Sequence, residues 1–140
     1  MTDRTALLAL AERCEQAAGP ERELDAEIAL ACGIVTSREC DFFYGHKDHS
    51  VMVLERDYYD HDRNAPALPY FTASLDAAVT LVPQGWTWAR FHSGTVECMT
   101  LNGPDNSILV ERGEGISTAL ALCAAALRAR AAIAQPSSET

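Results

Sequence analysis

Apolar residues recur at helical spacing in four stretches of the chain, and polar and apolar positions alternate in the stretches between. Leu7, Leu10, Cys14 and Ala17 predict the inner face of a first helix, which Thr2 or Asp3 is placed to cap. Gly19 is read as its C′ residue, and Pro20 as the first position of a second helix. Glu21 and Glu23 fall in that helix's first turn. Leu24, Ile28 and Ala31 form its stripe, and Gly33 ends it. In the third stretch Leu75, Ala78, Val79 and Val82 stand at i, i+3, i+4 and i+7. Ser74 (or Thr72) precedes them as N-cap, Asp76 suits the positive helix end, and Pro83 and Gly85 stop the helix. The longest pattern runs from Ser117 to Ala134. Ile116, Leu120, Cys123, Leu127 and Ala134 keep helical spacing, with Leu122, Ala126 and Ile133 on a flank. So wide a stripe predicts contact with both a sheet and another helix, and Arg128 and Arg130 suit its negative end.

Between the helices the period changes to two. Residues 41–44 and 51–54 read as strands around the polar loop 45–50, and 56–69, with two prolines and many charges, reads as an exposed loop. Residues 86–91 and 95–101 read as a strand pair turned by Ser93-Gly94. Trp86, Trp88 and Arg90 lie on one face of the first, with Thr87, Ala89 and Phe91 on the other. Residues 102–106 form a strong turn signal ahead of a short strand at 107–111. The elements add up to an α+β fold, a layered sandwich with helices packed on a mainly antiparallel sheet. They make one domain over residues 1–135, with a flexible tail at 136–140.

Composition narrows the class. A chain of 140 residues, 48% of them hydrophobic, suits one domain with a substantial core. No apolar run approaches the roughly 20 residues of a membrane-spanning helix, and the N-terminus does not read as a signal peptide. Five cysteines with no Cys-x-x-Cys pair predict free thiols, a reducing compartment and a cytoplasmic location; Cys14 and Cys123 serve as small hydrophobes on helix faces. The formal charge of −9 argues against nucleic acid and anionic membranes as partners. Residues 1–63 carry 14 acids against 7 Lys/Arg, a mixture too diluted by bases to imitate a phosphate backbone.

Candidate chemistry is concentrated in one segment. Cys40, His46, Asp48, His49 and His61 are of the types that bind zinc, but the spacing His46-Lys47-Asp48-His49 does not place two imidazoles on one helix face. Surface loops without metal are therefore expected there. Glu21, Glu23, Asp25 and Glu27 spread around a helix axis and are read as a solvated face. Trp86 and Trp88 would either pack between sheet and helix or form a ligand platform. The candidate binding residues are Glu23, Glu27, Tyr58, Tyr59, Trp86 and Trp88. No catalytic constellation and no cofactor-binding motif is recognisable.

Three runs carry a family resemblance. They are Glu23-Leu24-Asp25-Ala26-Glu27-Ile28-Ala29, then Ser74-Leu75-Asp76-Ala77-Ala78 with Leu81-Val82-Pro83 and Gly85-Trp86, then the Ala-rich helix at 119–130. In that order they resemble a small family of phage and prophage-encoded proteins, similar to the phage ABA sandwich domain, and the middle run is the most specific. The resemblance implies helices on both faces of an antiparallel sheet, and brings no catalytic residues with it. The expected function is that of a phage or prophage accessory protein in the bacterial cell, binding a protein or small ligand, with homo-oligomerisation open. The alternative is a small metal-dependent hydrolase using the His/Asp-rich residues 40–62.

Overall fold

A computed structural model of the chain describes residues 4–33, 69–91 and 94–134. Its elements are α1 (Arg4–Gln16), α2 (Arg22–Ala31), α3 (Leu75–Val79), β1 (Thr87–Arg90), β2 (Thr95–Thr100), β3 (Leu109–Glu114) and α4 (Thr118–Ile133). The strands form an antiparallel sheet in the order β1-β2-β3, so the expected α+β class and antiparallel pairing are observed. The strands expected at 41–44 and 51–54, the loops at 45–50 and 56–68 and the tail lie outside the described residues.

The sheet's two faces follow from its register. Trp88 lies opposite Cys98 and Cys98 opposite Glu111, while Arg90, Val96 and Gly113 form the next row. This inner face meets α4, and Val96 and Cys98 on it are buried. Helix α4 is enclosed along most of its length. Leu120, Leu122, Cys123 and Leu127 are fully buried, as are the alanines from 124 to 126. Helices α1 and α3 pack against it, and α2 packs against α1. Among the described residues, helices therefore cover one face of the sheet only.

Helix α4 lies very close to β3. A Cβ added at Gly113 would come within 2.3 Å of the Ala121 carbonyl oxygen and 2.5 Å of the Ala125 nitrogen. Any side chain there would have to push the helix off the strand. β3 runs through Glu114 and not over 107–111, and Gly113 within it is a seat for the helix backbone. At the other end the turn at 102–106 is confirmed, with Asp105 and Asn106 both in the left-handed region.

Polar contacts fix the helix layer. The Arg128 guanidinium grips Glu15 of α1 through two bonds of 2.7 and 2.8 Å and also donates to the Arg112 carbonyl. Glu15 in turn accepts from the Glu114 backbone N–H. Arg130 donates from Nε to the Leu81 carbonyl, 2.7 Å away. Both arginines thus serve tertiary contacts rather than the helix end alone.

Several local expectations need correction. Gly19 lacks a positive φ and stands beyond the end of α1, whereas Gly33, at φ 73°, closes α2 as expected. Helix α2 begins at Arg22, not at Pro20. Ser74 caps α3 by accepting from the Ala77 N–H, but the helix then tightens into i→i+3 bonds from Thr80 to Val82. Three-residue turns align Ala78 with Leu81, so Leu81 is fully buried while Leu75 is exposed. Ile116 and Ile133 are exposed as well, at the two ends of the α4 pattern.

Leu127→Ala is expected to lower stability by about 2–5 kcal/mol through the cavity it leaves. Gly113→Ala adds only a methyl group, yet should cost about 1–3 kcal/mol by overpacking. Denaturant unfolding measures both. Wild-type stability in Gly113→Ala would contradict the close approach of α4 to β3.

Candidate functional site

Two features invite a functional reading: a buried carboxylate on α2 and the outer face of the sheet. Contrary to what its spacing suggests, Asp25 does not belong to a solvated acidic face. The side chain is buried, and its Oδ1 accepts from the Thr72 N–H and from the Thr72 hydroxyl, both at 2.8 Å. Oδ2 meets an Arg22 guanidinium nitrogen at 2.9 Å. The Thr72 hydroxyl also accepts from the Glu21 N–H, so Thr72, itself fully buried, ties the start of α2 to the turn before α3. Arg22 reaches the Pro69 carbonyl and lies over the Tyr70 ring, 3.8 Å from its centroid.

Burial pushes the Asp25 carboxyl above its ordinary range, and the Thr72 and Arg22 contacts offset only part of this. Glu15 behaves oppositely, because the Arg128 hydrogen bonds hold its pKa down. All donors and acceptors around Asp25 belong to the protein fold, and no buried side-chain polar atom among the described residues lacks a partner. The network anchors two segments; it does not present a reacting group.

The remaining acids of α2 divide. Glu27 pairs with Arg13 of α1, while Glu23 is exposed. Trp86 and Trp88 are half-buried and pack on the core. Tyr58, Tyr59 and the metal candidates Cys40, His46, Asp48, His49 and His61 lie outside the described residues. Among the described residues no group of three or more His, Cys, Asp or Glu is arranged to hold a metal ion. Cys14, Cys32, Cys98 and Cys123 are free thiols. Burial and neighbouring Glu111 push Cys98 up to about 12, and the Cys123 thiol donates to the Phe71 carbonyl, so neither is an activated nucleophile.

The outer sheet face is the other feature. Thr87, Met99 and Val110 form one row across the strands, and Ala89, Glu97 and Arg112 the next. Leu101 and Ile108 follow directly beyond the Thr100–Leu109 pair. Met99 is 40% exposed, Val110 46%, Ile108 61% and Leu101 62%. The Arg112 guanidinium binds Glu97 through Nε and Nη2, at 3.1 and 2.7 Å, and so borders the apolar end with an ion pair. Sequence reasoning placed the faces of β1 but missed this patch. Its signal was the apolar content of both faces of 95–101, which one covering helix layer cannot bury. The chain matches no family model, no curated protein and no solved structure. Among the described residues no helix is long and apolar enough to cross a membrane.

The sign of one pH effect follows from Asp25. Folding raises its pKa, so the native state holds the proton more tightly than the unfolded chain. The contribution to stability is full below the unfolded pKa and is lost as pH rises through the raised value. The stability of the wild type relative to Asp25→Asn should therefore fall over that acid range, as measured by unfolding at stepped pH. A difference that grows with pH would refute the assignment. Asp25→Ala, which leaves the buried Thr72 N–H without its acceptor, should cost about 1–3 kcal/mol.

Proposed function

We propose that the protein is a phage- or prophage-associated accessory protein that binds another protein through the outer face of its sheet, and that it is not an enzyme. One observation carries the reading. Met99 and Val110 are paired on this face, Leu101 and Ile108 follow beyond the last strand pair, and each of these large apolar side chains is exposed by 40% or more. Scattered apolar residues on a surface mean little, whereas a contiguous group bordered by polar residues is the usual character of a contact site. The polar network around Asp25 is internally satisfied and supports the fold in place of a reaction. The phage attribution rests on the run from Ser74 to Trp86 and its resemblance to phage and prophage proteins.

This binding surface differs from the one the sequence suggests. Of the acidic helix, Asp25 is buried and Glu27 is engaged by Arg13, which leaves Glu21 and Glu23 as exposed charges of small energetic value. The expected partner is a protein, from the phage or the host.

A photo-crosslinking side chain at Ile108, expressed in bacterial cells, should give a discrete adduct that Leu101→Glu abolishes. The same side chain at the exposed Glu12 of α1 should give none. No adduct from Ile108, or one indifferent to Leu101→Glu, would end this reading.

A further inference from the structure

The charges around the outer face discriminate among occupants. The apolar group lies at the turn end of the face, where Asp105 stands in the turn beyond Ile108; at the other end, past the Glu97–Arg112 pair, Glu114 closes β3. Both acids are exposed. Arg112 is the one base on this face among the described strand residues, and Glu97 already engages it through two hydrogen bonds. Among the described residues of this face, an incoming segment therefore meets apolar side chains and exposed acids, and the one base is already paired.

Resting on the reading of this face as a contact site, we propose that its occupant is a basic, apolar-faced segment of another protein. Apolar side chains of such a segment cover Met99, Leu101, Ile108 and Val110, while flanking Lys or Arg residues meet Asp105 and Glu114. A second copy of the chain has the wrong charge. Each copy carries a formal −9, and stacking two identical faces would set acid against acid at the rim. Electrostatic complementarity of this kind governs partner choice and association rate, and the apolar group supplies the residence time.

The test uses the full chain and three short synthetic peptides: an amphipathic Leu/Lys helix, a Leu/Glu counterpart, and a Ser/Lys peptide of the same charge as the first. Fluorescence anisotropy should show the Leu/Lys peptide binding at least about ten-fold more tightly than either other, equivalent to about 1.4 kcal/mol. Val110→Glu should weaken it by about ten-fold, although the substitution adds negative charge to an acidic protein. Leu101→Glu, at a position beyond the strand pairing, provides the same test if Val110→Glu fails to fold. Ser/Lys binding as tight as Leu/Lys, or tighter Leu/Lys binding to Val110→Glu, would reduce the effect to bulk charge and overturn the proposal. Preferred binding of Leu/Glu that Val110→Glu abolishes would keep the face as a contact site and refute the basic partner. A concentration-dependent dimer in light scattering, dispersed by Leu101→Glu, would assign the face to a second copy. If none of the peptides binds, the proposal fails, and a crosslinking experiment without adducts would then remove the parent reading as well.

Discussion

The rest of the fold depends on how closely α4 lies on β3. Gly113 has no side chain because the helix backbone occupies the space where one would be, and Gly115 repeats the constraint with the Ala121 nitrogen 2.9 Å from its notional Cβ. On the helix, Ala121, Ala124 and Ala125 stand at i, i+3 and i+4, so one narrow alanine face meets the strand. The larger residues Leu120, Cys123 and Leu127 are also buried, which places other elements around the helix's remaining faces. Close seating on β3 thus fixes the level at which α1 and α3 must pack. Arg128 then joins α1, α4 and β3 through Glu15 and the Arg112 carbonyl, while Glu15 also accepts from the Glu114 amide.

Much of this was legible in the sequence wherever burial is one-sided and the period regular. Leu7, Leu10, Cys14 and Ala17 are all buried, and the α4 stripe is correct between Leu120 and Leu127. The misreadings have specific physical causes. Asp25 follows the spacing of a solvated carboxylate, but its partner Thr72 is 47 residues away, and no local pattern records such a pairing. Leu81 escaped a 3.6-residue template because the chain turns there at three residues per turn. The strand expected over 107–111 runs instead from Leu109 to Glu114, because β3 pairs with β2 as far as Thr95–Glu114, a register that no local pattern records. The Asp25 and β3 errors arose where a tertiary contact overrode a local preference, and the Leu81 error where the local turn itself tightened.

The candidate site was less legible than the fold. Attention to charged helices and His-rich loops follows the chemistry of side chains, whereas the outer sheet face is defined by geometry. Met99 and Val110 become neighbours only through the β2–β3 register, and Leu101 and Ile108 only through the turn that joins those strands. Read singly, each is one more apolar residue in a chain that has many.

An exposed apolar face also threatens self-association, and the acidity of the chain bears directly on that. A net charge of −9 spreads repulsion over every encounter between two copies, including those that would bring the sheet faces together. The Glu97–Arg112 pair adds a desolvation penalty to any apolar surface that slides past the Met99–Val110 row. The repulsion is selective, since it falls on like-charged chains and becomes attraction for a basic one. On the proposed reading, acidity and the open sheet face, unrelated when taken separately, together would favour a partner of opposite charge over a second copy.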